Sequence, residues 1–549
     1  MSYWNRAVVP FAVLALSFLA GCGSSSGPVA TPPPSGSFSN SNLKGTYVFS
    51  VSGTDVNNLP YAIVGTFTAN GSGGNGTGGI TGGTIDINDA TFAESNPVIA
   101  PISNAPISGS SSYSVGVDGR GKAMLVTSTP FQTIVLDFVL QDSSHGFVTE
   151  SDGTASGSGT LDLQTAGVTP SGTYAFSLAG ADITNLDNIA SLDAVGNFTV
   201  GNDGAVTGLE DFNDSSFAYP DYTLSGTVVL GPSSTPATTL TTGFHLETQT
   251  YDVYAIDATH LKFIEMDNSA ILSGDALSQT SATIPAGTWA FTTIGFFPST
   301  TVSTGGGFIV TDGNGNITSA SSLDVNEGGT VSPSPLSFTG QYAPAGTGRF
   351  LLSNLSNFLG ATYAAYPYSG GFFLLELDNS GGMDGAAYLQ SSTTFDASQG
   401  YGLNLTGDNF NLLETTGVPE EVDDIAEFAA SSTSCGSYTS SVLSGILDEN
   451  YDPEGAPTYD VTLCGSYNAP DSNGRGTMAA TTDNTLNGGF FLTFYTVDGT
   501  TFPFIETDTT QVAIGAFVEQ NAGASSSAAV KPHAFLVRSL VRPHTALKK

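Results

Sequence analysis

The sequence is poor in positive charge, in cysteine and in long apolar runs, and each shortage argues against a class of protein. Its 549 residues include 12 Lys and Arg against 49 Asp and Glu, which gives a formal net charge of −37 at pH 7. A chain this acidic repels nucleic-acid phosphates and anionic lipid headgroups, so we expect no nucleic-acid partner. Five of the twelve basic residues lie in a basic tail over residues 526–549, namely Lys531, Arg538, Arg542, Lys548 and Lys549.

The apolar stretch at the N-terminus is too short to cross a bilayer. It covers residues 7–21 and follows the single basic residue Arg6. A spanning helix needs about 20 apolar residues. A short apolar stretch of this kind is typical of a signal peptide, which we place over residues 1–21.

The signal ends in Leu19-Ala20-Gly21-Cys22, which resembles the lipobox of bacterial lipoproteins. The resemblance implies cleavage before Cys22 and attachment of a diacylglycerol to its sulfur. Since two or more acyl chains hold a protein stably on a membrane, it also implies a lipid anchor in the bacterial cell envelope, at the outer membrane or cell surface. The alternative is an ordinary signal peptide with an incidental cysteine. Residues 22–42 are then the lipidated cysteine and a Ser/Gly/Pro-rich tether.

Beyond the tether the chain repeats itself four times. Three units open on Gly-Thr-aromatic, at Gly45, Gly172 and Gly287, and the fourth opens on Gly400-Tyr401. Every unit closes on the pattern Glu-x-Asp-x6-Gly-x4-Gln. The acidic pairs of this pattern are Glu150 and Asp152, Glu265 and Asp267, Glu376 and Asp378, and Glu506 and Asp508. We place the units at residues 43–167, 168–283, 284–393 and 394–525.

Short strands joined by tight turns predict an all-β protein without long helices. The first unit has eight candidate strands, at residues 46–52, 61–68, 84–88, 112–117, 122–127, 133–141, 146–150 and 159–164. This pattern favours four tandem antiparallel eight-stranded up-and-down barrels over immunoglobulin-like β-sandwiches, which remain the alternative. The unit openings also resemble the Gly-x-Trp first-strand signature of lipocalins and avidins, the calycin barrels. The resemblance implies the same eight-stranded meander, although only Trp289 matches it fully.

The two cysteines beyond the lipobox are Cys435 and Cys464, each in the sequence Cys-Gly-Ser-Tyr. An exported protein folds in an oxidising compartment, which favours a disulfide between them. Two free thiols are the alternative. Neither cysteine has a nearby histidine, and we predict no metal site and no cofactor.

The repeated Glu-x-Asp pairs invite a catalytic interpretation. On one strand their carboxylates would share a face about 6.7 Å apart, near the separation that glycosidases use. An enzyme needs one such site, however, and here there are four copies. We therefore interpret these residues as structural, with the Glu at a strand edge and the Asp capping a turn, and we predict no catalytic residue. We expect Arg120, Arg349 and Arg475 to pair with local carboxylates.

Two hypotheses follow. The first is a membrane-anchored lipoprotein whose tandem units serve binding, adhesion or envelope structure, with an unidentified small-molecule, glycan or protein ligand. The second is an extracytoplasmic glycan hydrolase that uses one Glu-x-Asp pair. The fourth unit differs most from the others, because it carries both remaining cysteines and an acidic segment at residues 420–424 that looks like an insert. Four similar units without a unique polar cluster favour the first hypothesis.

Overall fold

The computed structural model of this chain is built almost wholly from β-strands. It describes residues 37–523 and 544–545, apart from residues 75, 96, 131, 187, 215–216, 231–236, 245–246, 299, 414–418, 432–433, 452–456 and 483–488. Cys22, the signal peptide and most of the basic tail therefore lie outside the described residues. Within the described part, no helix has the length and apolar character needed to cross a bilayer.

Barrel one contains nine strands and two short helical segments. The strands are β1 (Lys44–Asp55), β2 (Pro60–Asn70), β3 (Gly78–Asp89), β4 (Ile102–Ile107), β5 (Ser112–Val115), β6 (Arg120–Val126), β7 (Thr133–Leu140), β8 (His145–Glu150) and β9 (Ala155–Leu163). A 3-10 turn (Asn40–Asn42) precedes β1, and the helix α1 (Ala90–Glu94) follows β3. The ring of the barrel has eight positions, and β4 and β5 pair with successive parts of the same edge of β3, so together they form the fourth ring strand.

Barrel two has eight ring strands. They are β10 (Gly172–Asp182), β11 (Asn188–Val200), β12 (Ala205–Asp214), β13 (Phe217–Leu230), β14 (Ala237–Phe244), β15 (Glu247–Asp257), β16 (His260–Glu265) and β17 (Ala270–Ser278).

Barrel three has eight ring strands and one short extra strand. They are β18 (Gly287–Phe296), β19 (Val302–Thr311), β20 (Asn316–Glu327), the extra strand β21 (Thr330–Val331), β22 (Leu336–Pro344), β23 (Phe350–Ser353), β24 (Tyr363–Tyr368), β25 (Gly371–Glu376) and β26 (Gly382–Leu389).

Barrel four again has eight ring strands. They are β27 (Gly400–Leu413), β28 (Pro419–Ser431), β29 (Val442–Tyr451), β30 (Thr458–Asn468), β31 (Arg475–Thr482), β32 (Phe490–Tyr495), β33 (Thr501–Glu506) and β34 (Gln511–Glu519). From the tail, the two-residue strand β35 (His544–Thr545) pairs with β11 of barrel two.

Each barrel closes because its first strand pairs with both its second and its last strand. In barrel one, Tyr47 on β1 lies opposite Phe67 on β2 and Leu163 on β9. In barrel four, β27 pairs in the same way with β28 and β34. The prediction of an all-β chain of antiparallel eight-stranded barrels is confirmed.

The one strand of barrel one that the sequence pattern does not reveal is β4. Only Ala105 and Ile107 of its six residues are buried, so the apolar alternation that marks a strand is too short to recognise. The eight predicted strands all fall on the ring strands.

Apolar side chains fill the barrels and close one end of each. The aromatic residue of every unit opening is buried, namely Tyr47, Tyr174, Trp289 and Tyr401. One apolar residue just before the first strand packs against each interior, namely Phe38, Val168, Ile284 and Phe395. The last part of the predicted tether is therefore packed on barrel one, where the side chain of Asn40 also donates to the carbonyl oxygens of Ser72 and Gly76.

The two ends of each barrel have different roles. With eight strands running up and down, the chain enters and leaves a barrel at the same end, which we call the tether end. The opposite end, which we call the loop end, carries the connections after the first, third, fifth and seventh ring strands. The Glu-x-Asp turns follow the seventh strand and so lie at the loop end.

A disulfide joins Cys435, which follows β28, to Cys464 on β30, and their Cα atoms are 5.4 Å apart. The two residues are 29 positions apart in the chain. Closing a loop of about 30 residues contributes roughly 3–4 kcal/mol to the free energy of unfolding in the chain-entropy model.

We expect thiol labelling of the unfolded, unreduced protein to leave Cys435 and Cys464 unmodified, and reduction to expose both. Reduction should also lower the denaturant midpoint, because the loop is then free in the unfolded chain. Two labelled thiols before reduction would contradict the pairing.

Candidate functional site

The Glu-x-Asp turns lie at the contacts between barrels. The side-chain amide of Asn88, in barrel one, donates to the carbonyl oxygens of Glu265, Asp267 and Ala270 in barrel two at 2.8–3.2 Å. Equivalent bonds run from Asn213 to Glu376 and Gly381 in barrel three, and from Asn326 to Glu506, Asp508 and Gln511 in barrel four.

The same contact closes the series. Asn450 of barrel four donates to the carbonyl oxygens of Glu150 and Ala155 in barrel one. Each barrel thus holds the Glu-x-Asp turn of the next, and the last barrel holds that of the first. The four barrels form a closed ring.

The repeated Gln makes a second set of contacts around this ring, at the tether ends. Gln164 donates to the carbonyl oxygen of Ala255, and Gln520 of barrel four donates to those of Asp118 and Leu140 in barrel one. The other two are Gln279, which donates to Gly348 and Pro367, and Gln390, which donates to Asn473 and Thr496. Because like ends meet, all barrels point the same way, and the ring has a tether face and a loop face.

The centre of the ring is apolar. One cluster of buried side chains contains residues from all four barrels, among them Phe147, Val195, Phe373 and Tyr495. Burial of apolar surface is the main favourable contribution to protein association. The apolar centre therefore stabilises the ring in addition to the polar contacts between barrels.

The four Asn residues that bond across a junction are Asn88, Asn213, Asn326 and Asn450, which we call the junction Asn residues. Two residues before each of them is an aspartate that takes part in the same contacts. The guanidinium of Arg349, in barrel three, donates twice to Asp211 of barrel two, with both bonds at 2.6 Å, and the Tyr366 hydroxyl donates to the same carboxylate. Arg475 and Tyr495 of barrel four hold Asp324 in the same way.

The sequence-based expectation that these arginines pair locally is therefore wrong for Arg349 and Arg475. Their partners lie in the preceding barrel. Arg120 combines both arrangements, because it bonds the local Asp118 and also Asp448 of barrel four. A long side chain at the start of a strand reaches across the junction, which sequence distance alone does not show.

The junction between barrels one and two lacks the arginine. The strand register places Ala237 opposite Tyr254, where barrel four has Arg475 opposite Tyr495. Here Tyr254 donates to Asp86, and burial together with the charge of Asp252 raises the pKa of Asp86 to about 7.

A buried lysine supplies the positive charge of that junction instead. The ammonium of Lys262 lies 2.9 Å from Asp275 in its own barrel and 3.6 Å from Asp162 of barrel one. Those two carboxylates hold the pKa of the Lys262 ammonium above its usual value, against the opposing effect of burial.

The geometry of the Glu-x-Asp pairs differs from the expected strand arrangement. Each seventh strand ends at the Glu, so the Asp lies in the turn and not on the same strand face. The carboxylate of Glu265 accepts from the backbone N–H of Asp267 and from Asn88, both at 2.8 Å.

The aspartates of the pairs cap turns at the loop end. Asp152, Asp378 and Asp508 each accept a bond from the backbone N–H two residues later. The fourth, Asp267, accepts from the backbone N–H of Thr250.

Burial raises the pKa of all four repeated glutamic acids and so favours their uncharged form. It raises the pKa of Glu265 to about 10 and that of Glu376 to about 9. It also raises the pKa of Glu150 and Glu506 well above the usual value. The formal net charge of −37 therefore overstates the charge that the folded chain carries.

The acidic segment at residues 420–424 is not an insert. It forms the start of β28, the second strand of barrel four. Asp423 faces barrel one and accepts from the Ser156 hydroxyl at 2.7 Å, whereas Asp424 lines the interior of barrel four.

We expect Asn326→Ala to destabilise the protein by about 2 kcal/mol, because it leaves three buried carbonyl oxygens without their donor. The exposed Asn202→Ala, at a residue without a left-handed backbone conformation, is the matched control and should change little. Urea midpoints compare the two variants. Equal midpoints would contradict a junction role for Asn326.

Large apolar side chains are exposed mainly at the loop face. Of the ten exposed large apolar residues in the described part of the chain, seven lie in loop-end connections or at the adjoining strand ends. They are Val56, Val98 and Ile99 in barrel one, Phe217 in barrel two, Leu336 in barrel three, and Tyr459 and Phe491 in barrel four. Every barrel contributes at least one.

No protein-family model and no curated protein matches this chain. Among solved structures it is similar to a mutant of the vaccine antigen transferrin binding protein B from Haemophilus parasuis Hp5, at 10% identity over 70% of this chain and 83% of that one, with a TM-score of 0.19. It is also similar to the isotype 1 transferrin binding protein B of serogroup B Neisseria meningitidis, at 10% identity over 68% and 84% of the two chains, with a TM-score of 0.18. Likenesses with TM-scores this low carry no argument about the function of this chain.

Proposed function

We propose that this chain is a lipid-anchored envelope protein whose ring of barrels presents its loop face to a protein partner, without catalysis. The observation that carries the proposal is the separation of the two faces. The chain enters barrel one at the tether end, on the side where a lipid on Cys22 would hold it. The exposed apolar side chains lie at the opposite end of the barrels.

The spread of these side chains favours a macromolecular partner. Small-molecule sites are concave and collect their apolar contacts in one place. Here the exposed residues are distributed over the loop ends of all four barrels. Protein interfaces extend over such areas and use aromatic and aliphatic contacts within a polar rim.

The junction geometry disfavours the glycan-hydrolase hypothesis. A catalytic Glu-x-Asp pair needs an open cleft in which both carboxyl groups reach a substrate. All four glutamic acids are buried between barrels, with relative exposures of 3% for Glu150 and 0% for the others. Their backbone carbonyl oxygens accept from the Asn of the neighbouring barrel, and the side chains of Glu265 and Glu376 accept hydrogen bonds within their own turns, which supports the structural role that we propose for these residues.

We expect a bulky maleimide reagent to distinguish the two faces when the lipidated protein is bound to vesicles. Ile99→Cys, at the loop face, should react as fast on vesicles as in solution. Asn314→Cys, in the exposed turn after β19 at the tether face, should react more slowly on vesicles because the bilayer shields it.

The control is Cys22→Ser in each background. It should release the protein from the vesicles and from the detergent phase, and it should restore the reactivity of Asn314→Cys while leaving that of Ile99→Cys unchanged. A Cys22→Ser protein that still partitions into detergent would overturn the anchor. Equal shielding at both positions would overturn the proposed orientation.

A further inference from the structure

The interior of barrel four holds a cavity. Residues from six of the eight strands line it. The walls are almost wholly apolar and include Leu405, Leu447, Met478 and Phe490. The one acidic residue in this lining is Asp424 on β28.

The Asp424 carboxyl group is buried without compensation. It has no exposed surface, and neither of its oxygens has a hydrogen-bond partner among the described residues. A buried polar group of this kind costs roughly 1–3 kcal/mol, and a charged one more. In a folded chain such a group calls for a partner that the protein itself does not supply.

Carboxyl groups surround Asp424 on the neighbouring strands. Glu449 lies directly opposite it on β29, and Asp423 and Asp448 also act on it. Burial and the charge of Glu449 raise the pKa of Asp424 well above its usual value. Three of the junction aspartates differ in having a basic partner, since an arginine bonds each of Asp211, Asp324 and Asp448.

We propose that barrel four binds a small primary ammonium compound with an unbranched apolar body, its ammonium group against Asp424 and its body along the Leu, Met and Phe walls. An ammonium group donates three hydrogen bonds and carries a positive charge, which matches the buried Asp424 carboxyl group. The apolar walls accommodate an alkyl chain and not a hydrated metal ion. In the described part of the chain, no set of three or more His, Cys, Asp or Glu side chains could hold a metal.

The test compares three probes of equal length: hexylammonium, hexan-1-ol and hexanoate. Methyl-¹³C labelling of methionine provides a local signal, because Met478 lines the cavity and Met383 lies in the core of barrel three as a control. At pH 7, hexylammonium should shift the Met478 methyl resonance at a concentration at least tenfold below that needed for hexan-1-ol. Hexanoate should leave it unmoved, and Met383 should not respond to any probe.

Two variants test the residues. Asp424→Asn should bring the affinity for hexylammonium down to that for hexan-1-ol, without changing the latter. Ala426→Leu, which fills the cavity, should abolish the response of Met478 to every probe, while an unchanged Met383 resonance reports an intact fold.

Three results would overturn the proposal. The first is hexan-1-ol binding as tightly as hexylammonium in the wild-type protein, and the second is a Met478 resonance that stays fixed up to the solubility limit of all probes. The third is an Asp424→Asn protein that keeps the preference for the ammonium probe. The acidic surface attracts cations generally, and the local methyl signal separates that attraction from binding in the cavity.

Discussion

Lowering the pH from 8 to 5 is expected to stabilise this protein by on the order of 5–10 kcal/mol, the reverse of ordinary acid denaturation. Buried carboxyl groups with raised pKa values are the cause. Burial raises the pKa to about 7 for Asp89 and about 6 for Asp137, besides about 9 for Glu376 and about 10 for Glu265. In the unfolded chain such groups titrate near pH 4.

The direction follows from proton binding. Between the unfolded and folded pKa values the folded state holds more protons, so the stability is fully present below about pH 4 and is lost as the pH rises through each folded pKa. Each group contributes up to about 1.4 kcal/mol per pH unit within its window. Below pH 4 the trend should reverse, because the charge of Lys262 holds the pKa of Asp275 below the usual value despite its burial, and hydrogen bonds do the same for Asp142 and Asp378.

Urea midpoints at constant ionic strength measure this effect. Glu376→Gln, which is uncharged at every pH, should flatten the pH dependence and should be at least as stable as the wild type at pH 8. The exposed Glu94→Gln is the matched control and should leave the curve unchanged. A midpoint that stays constant or falls from pH 8 to pH 5 would show that these acids are ionised in the folded protein.

Arg349→Ala is expected to cost about 3–5 kcal/mol, because it leaves a charged Asp211 buried between barrels two and three without its partner. The side chains of Arg349 and Asp211 are 4% and 0% exposed. The equivalent Arg475 is 26% exposed, so Arg475→Ala should cost clearly less.

The double variant Arg349→Ala, Asp211→Asn provides the second comparison. Removing both charges should recover a large part of the loss, since the penalty comes from the unpaired carboxylate. Equal losses of stability in Arg349→Ala and Arg475→Ala would show that the buried ion pair does not hold this junction. A double variant that loses as much stability as Arg349→Ala and Asp211→Asn lose separately, added together, would show the same.

The repeats and the barrels could be predicted from the sequence because both are local. The Glu-x-Asp-x6-Gly-x4-Gln pattern spans two strands and one turn of constant length, so its spacing is constant. Alternating burial along each strand is likewise visible in the residues themselves.

The junctions could not be predicted in the same way. The Asp-x-Asn sequence on the third ring strand occurs in all four barrels, at Asp86, Asp211, Asp324 and Asp448. It lies after the second hairpin, whose length differs from barrel to barrel, so no constant distance from the unit opening reveals it. Aligning the four units on their strands instead of on spacing would have found it.

The closure of the ring depends on contacts between residues hundreds of positions apart. Asn450 and Glu150 are separated by 300 positions. Nothing in the local pattern of barrel four states that its neighbour is barrel one. The sequence therefore predicts four barrels, and only their packing shows that the fourth returns to the first.

The most direct test of the ring is a cross-link across its closing junction. Ser156→Cys with Asp423→Cys joins barrels one and four, whose side chains are 2.7 Å apart at this point. Ser103→Cys with Asp252→Cys joins barrels one and two, at 2.8 Å, and serves as the control. Because Ser156 and Asp423 are fully buried, the link is formed as a direct disulfide by oxidation during folding. If the ring is closed, mass spectrometry of the unreduced peptides should show an intramolecular disulfide in both proteins. A link in the control alone would mean that the barrels form an open string, and it would contradict the account.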